Sequence, residues 1–458
     1  MDAKQLASLK PALDSYIESF CKCFHEPTFK HFRTYLLGLM EDLPRKNVEA
    51  IALAAGTAVR TLQEFLSQLR WKDDRLHELY QHGIADRHGG DSAIGVIDSS
   101  GHPKQGDKTP GVQRQYCGQS GKIDNCVLGT HLLYTDNHPS NPLSCMLDSA
   151  LYLPQSWEHD VIRRKEAGIP DDVHYQPEWQ LGIDLLLEAL ANGIRFSWVT
   201  FDESFGKVPA FWFGLDQLGL RSVGEVPANF RCWATEPKYD SLQGPFASKQ
   251  VRNVVRHSPV FREQPWRRVR VKDTTRGRQV WRVKAARVQL VGSDDSGRTK
   301  PTDRRYWLIV ARNEKTDEVK YYVSNAPAHA PVEEMLRAAM ARWHVEQWFE
   351  RAKQLAGFGD FEVRKYLGLM RHWLCSRIAM YFLAAETKRL RGEKSADHVR
   401  AGDGGLLPAA RNDHQLLAEI MAGAASPDGI LRVAKRPHLR LPRQEGERQP
   451  RLKVALSY

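Results

Sequence analysis

The chain has 458 residues, 66 Lys plus Arg against 55 Asp plus Glu, a formal charge of +11 and a sequence pI near 9.2. With 42% hydrophobic and 26% charged residues it has the composition of a folded globular protein, which argues against a disordered chain, while the basic balance favours an acidic polymer as partner. No run approaches the ~18 apolar residues of a membrane span. The N-terminus MDAKQLASLKPALDSY lacks the order of a secretory signal, so a cytoplasmic protein without a membrane partner is expected.

Residues 1–90 read as helices. Apolar residues recur at three-to-four spacing through Leu6–Phe24 and again through Glu49–Leu69. Within the second stretch Ile51, Ala52, Ala55, Gly56, Thr61, Leu62 and Leu66 fall at helix-turn-helix spacing, with Gly56 in the turn. Two packed bundle helices fit the same pattern. The seven cysteines are scattered and odd in number, so reduced thiols are expected.

From Ser92 the pattern changes to short apolar runs between Gly, Pro and Asp. Strands are predicted at Ile94–Ile97, Val127–Tyr134 and Phe196–Phe201, and a helix at Pro177–Asn192, an alternation that points to an α/β layer with a mixed sheet. Between Val251 and Arg287 twelve bases stand against two acids. There Trp266–Val271 and Trp281–Lys284 alternate like two strands, burying Trp and Val and offering Arg267, Arg268, Arg270, Arg278, Arg282 and Lys284 to phosphates. A further hairpin is predicted at Trp307–Ala311 and Val319–Ser324. A helical region follows from Pro331 to about Leu390, broken near Gly357–Gly359. Leu431–Lys453, with eight bases, two acids and three prolines, reads as an extended basic tail.

Three acids stand out by context. Asp98 and Asp202 each follow an apolar strand and lead into a Gly-containing loop. Adjacent strands lie ~4.8 Å apart, which suits a pair of metal ions ~3.5–4 Å apart. Glu346 sits on a helical stretch where, at about 100° per residue, Arg342, Glu346 and Lys353 share one stripe while Val345, Phe349, Ala352 and Ala356 form the packing face. Taken singly, each acid also reads as a turn former or a surface salt-bridge partner.

In this order the segments resemble the DDE transposases of bacterial insertion sequences. In one large division of that family the third acid lies in a Tyr-x2-Arg-x3-Glu-x6-Lys signature. Arg342, Glu346 and Lys353 match it at full spacing, and Ala339 stands at the Tyr position. Asp202-Glu203-Ser204-Phe205 fits the Asp-x-x-Tyr/Phe of the second acid, and Arg114–Cys126, Leu151–Asp160, Glu362–Arg364 and Arg371–His372 are similar pieces.

The resemblance implies an α/β ribonuclease-H-like core over 91–227 and 327–395, interrupted by a mostly β, basic insertion over 228–326. An N-terminal helical DNA-binding domain over 1–90 and a basic C-terminal region over 396–458 complete the expectation. Asp98, Asp202 and Glu346 would hold two Mg²⁺, with Mn²⁺ able to substitute. Arg342 and Lys353 would contact phosphates, Trp343 or Trp348 would stack on a base, and Lys104, His102 and Lys122 are either phosphate contacts or solvated loop residues. His344 and His372 are expected to be structural. The implied partners are the terminal inverted repeats of an element and target DNA, bound by a homodimer at the bacterial nucleoid. A domesticated DNA-binding protein, or a nuclease that cuts without joining, has the same core.

Overall fold

Five helices open the chain: Ala3–Glu18, Glu26–Met40, Val48–Ala54, Val59–Ser67 and Asp73–His88. The coordinates are a computed structural model, which describes residues 3–400 apart from 91, 139–140, 241–243, 246, 275–276 and 294–296. The expected tail Leu431–Lys453 and the side chain of Arg278 lie outside the described residues. Glu49–Leu69 holds two short helices. Gly56 turns the chain between them at φ +64°, a region that a residue without Cβ enters freely. Leu62, Phe65 and Leu66 of the second helix are buried.

The strands are β1 (Ile94–Pro103), β2 (Gln113–Cys117), β3 (Lys122–Thr135), β4 (Ser144–Leu151), β5 (Trp198–Phe201), β6 (Ser222–Val226), β7 (Arg231–Trp233), β8 (Tyr239–Asp240), β9 (Gly244–Pro245), β10 (Lys249–Gln250), β11 (Arg267–Thr274), β12 (Gly277–Ser293), β13 (Thr299–Asn313) and β14 (Val319–Ser324). All but β8 and β9 join one twelve-stranded sheet in the order β10-β7-β12-β13-β14-β6-β5-β1-β3-β2, with β11 on β12 and β4 on β3. Antiparallel β4, β3 and β1 followed by parallel β5 and β6 are consistent with a ribonuclease-H-like core. At the parallel end the ring of Phe201 lies 2.1 Å from where a Cβ on Gly224 would stand, so only glycine fits opposite it.

The strands between 228 and 326 are not set apart from that core. β14 pairs antiparallel with β6, so they extend the same sheet. Pairing there covers the edge that β6 would otherwise expose. The basic stretch begins as two short helices, Val251–His257 and Pro259–Arg262, and becomes a ribbon only from Arg267.

Helices cover both faces. Glu178–Ala191 packs on one side of the sheet; Trp343–Leu355 and the long helix Tyr366–Arg400 pack on the other. Residues 371–383 of the long helix are buried on every side, the signature of a helix enclosed by protein. It seats the N-terminal helices on the sheet: Arg371 donates to Leu69 O at 2.9 Å and pairs with Asp73 at 3.0 Å, and Tyr35 meets His372 Nδ1 at 2.7 Å. Among the described residues no helix is long and apolar enough to cross a membrane.

Candidate active site

The parallel ladder between β1 and β5 ends at the pair Ile97–Phe201, and the next residue on each chain is Asp98 and Asp202. Register therefore sets the two carboxylates side by side at the carboxyl end of the parallel strands. Successive strand residues face opposite sides. Ile97 lies against Gly182 of the helix Glu178–Ala191, so Asp98 faces the other way, opposite His131 and toward the helix Trp343–Leu355. Asp98 does not close its strand as expected from the sequence. Antiparallel β3 supplies partners as far as Pro103.

Each acid is held differently. Asp98 Oδ1 accepts from Ser99 N at 2.8 Å. Asp202 caps the short helix Glu203–Gly206, its Oδ1 accepting from Ser204 N at 2.9 Å and Phe205 N at 3.4 Å, which leaves Oδ2 uncommitted by the cap. Glu346, in the first turn of its helix, is half exposed. Arg342, at the N-cap of that helix, joins two of the three: Nη1 is 3.3 Å from Asp98 Oδ2 and Nη2 is 2.6 Å from Glu346 Oε1. Burial, then the charge of Asp202, pushes the Asp98 carboxyl up to about 7, against the pull of Arg342. Val345, Phe349, Ala352 and Ala356 are buried, so the packing face of the helix is the expected one. Trp348 is buried with them.

Of the expected phosphate contacts, Lys353 is largely buried and donates to Gln119 Oε1 at 3.0 Å; burial lowers its pKa. Trp343 is 46% exposed beside Arg342. Lys122 is exposed at the start of β3. Lys104 turns inward instead. Its Nζ donates to Gly359 O at 2.9 Å and Phe361 O at 2.6 Å, 3.5 Å from the Phe361 ring centroid, and burial lowers it to about 8. His102 and His372 are buried and kept neutral by burial, and His344 is buried. On the ribbon, Val269, Trp281 and Val283 are buried while Arg267, Arg268, Arg270 and Arg282 are exposed. Arg268 and Arg282 face one another across β11 and β12, and both pair with Glu314, at 2.8 and 3.1 Å. Arg267 pairs with Glu333 at 2.6 Å, and Lys284 donates to Phe261 O at 2.8 Å.

Two site residues were not legible in the sequence. Ser99, on the opposite face of β1 from Asp98, hydrogen-bonds Glu178 and ties the strand to the helix Glu178–Ala191. Tyr322 lines, with Ala339, Arg342, Trp343 and Glu346, a cleft of about 80 Å³. Only the strand pattern around Tyr322 hints at it.

A family profile for DDE superfamily endonucleases matches residues 19–278, more than half of the chain. The chain belongs to the DDE endonuclease superfamily. The matched span holds Asp98 and Asp202 and ends before Glu346, so the third acid rests on signature spacing and on its ion pair with Arg342. The probable transposase for insertion sequence element IS701 of Microchaete diplosiphon is 27% identical over 220 residues, 47% of this chain. The match spans about half the length of that relative, 54%.

A second polar cluster lies away from these acids. Ligand-type atoms of His77, Asp148 and Glu188 lie within 4.8 Å of one another. Arg377 pairs with Asp148 there, the backbone N of Ser149 donates to the same carboxylate, and His77 is 3.6 Å from it. Burial and the neighbouring Asp148 push Glu188 up to about 7, whereas His77 and Arg377 outweigh burial to hold Asp148 low.

Proposed function

We propose that this chain is a DNA transposase that cuts at the ends of a mobile element and joins them to target DNA, with Asp98, Asp202 and Glu346 as its catalytic acids. The observation that carries the reading is the juxtaposition of Asp98 and Asp202 by strand register, with Glu346 tied to Asp98 through Arg342.

The donor set fits a divalent metal. It consists of carboxylate oxygens, the ligands preferred by Mg²⁺, and Asp98 and Asp202 repel one another without a cation. Bound there, two such ions supply nucleophile activation and stabilisation of the leaving oxygen in an in-line displacement. The capped Asp202 keeps one oxygen fixed by Ser204 and Phe205 and offers the other. Arg342 and Lys353 bear on the phosphates around the scissile bond, Arg342 able to do so with two parallel donors. Trp343 offers a ring to an unpaired base. Arg267, Arg268, Arg270, Arg278, Arg282 and Lys284 track the backbone farther along, and a homodimer holds two element ends.

Purified protein with a duplex carrying the DNA that borders the gene is expected to give Mg²⁺-dependent strand cleavage and a joined product. Cleavage without any joined product favours a nuclease, and no cleavage favours a domesticated DNA-binding protein.

A further inference from the structure

We propose that Arg342 is an internal counter-ion that couples metal binding to DNA binding: it bridges Asp98 and Glu346 until a DNA phosphate draws it away. The inference rests on the reading of these acids as a metal site.

The two arms of one guanidinium reach Asp98 Oδ2 and Glu346 Oε1, at 3.3 and 2.6 Å. The other oxygen of Asp98 accepts from Ser99 N, so Oδ2 is the oxygen without a backbone donor. The guanidinium thus spans the oxygens through which a cation would join a strand to the helix Trp343–Leu355. Its position has two consequences. It offsets the repulsion among three carboxylates when no metal is present, and a metal must displace it to reach both oxygens. A guanidinium binds phosphate in the same forked, bidentate manner as it binds carboxylate. Its side chain keeps 25% of its surface in solvent, beside exposed Trp343, so an incoming phosphate can compete for it. Phosphate and metal then act in the same direction: each removes what the other must displace. Such coupling is reciprocal, and a factor of about 5–150 is typical for two linked sites.

The test is the affinity for Mn²⁺, read by electron paramagnetic resonance of the free ion, on full-length protein with and without the duplex that borders the gene. In the wild type the duplex is expected to tighten Mn²⁺ binding about tenfold or more. Arg342→Gln is expected to bind Mn²⁺ without DNA about as tightly as the wild type does with DNA, and to gain little from the duplex. Arg342→Lys keeps the charge but cannot bridge both oxygens, and it falls between the two; it also serves if the Gln variant folds poorly. Equal or weaker Mn²⁺ binding by both DNA-free variants overturns the proposal. Asp98→Asn separates this from a failure of the site itself: if its Mn²⁺ binding matches the wild type, the acids are not the metal site.

Discussion

Two carboxylate clusters in this molecule each contain an arginine, and they differ in what that arginine is free to do. Arg377 is 3% exposed and Asp148 9%, enclosed by β4 and the helices that carry His77, Glu188 and Arg377. Arg342 is 25% exposed and Glu346 53%, at an open end of the parallel strands. In the first cluster Arg377 holds Asp148 inside the protein, beside a half-exposed Glu188, and with His77 ties the long helix and the N-terminal helices to β4. In the second, the arginine itself keeps a quarter of its surface in solvent, where an anion can reach it. The difference lies in the counter-charge: an arginine sealed in the protein stays with its acid, whereas one at the surface can be drawn away by an anion.

The comparison can be broken most forcefully at Arg377. Removing one partner of a buried ion pair costs about 3–5 kcal/mol, so Arg377→Met should lower the thermal midpoint sharply. A midpoint within a degree or two of the wild type would mean the cluster does not tie these elements together. The acidic cluster predicts a pH effect of its own. Asp98 in the folded, metal-free protein titrates at about 7, above the ordinary carboxylate value, so the folded state holds a proton that the unfolded chain releases near pH 4. Stability from this group is full below about pH 4 and is lost as pH rises through about 7. Asp98→Asn should remove that slope, on the order of 4 kcal/mol, from thermal melts in chelator between pH 4 and 8. The smallest effect belongs to the ribbon, where Arg268→Ala leaves Arg282 on Glu314 and should barely move the thermal midpoint. Its DNA affinity should nevertheless fall, with a flatter dependence on salt.

The proposed acids Asp98, Asp202 and Glu346 stand out in the sequence because each follows an apolar pattern of definite period, and the signature spacing sets Arg342 and Lys353 around the third. Lys104 was misleading for a physical reason. A lysine in a Gly-rich loop looks solvated, and the carbonyls of Gly359 and Phe361 that capture it lie more than 250 residues away. The same holds for Ser99 with Glu178 and for Arg377 with Asp148, which long-range packing alone brings together. The strands from 228 to 326 were expected as a β insertion in the core, and no local pattern encodes the pairing of β14 with β6 that joins them to its sheet.

The most direct test compares cleavage by the two clusters in one assay. Wild type, Asp202→Asn and Glu188→Gln, each brought to equal folded concentration, are given Mg²⁺ and the bordering duplex. Asp202→Asn is predicted to lose about a thousandfold or more in rate, several kcal/mol of transition-state stabilisation, while Glu188→Gln cuts at the wild-type rate per folded molecule. Cleavage that survives in Asp202→Asn, or that disappears in Glu188→Gln, would contradict the account.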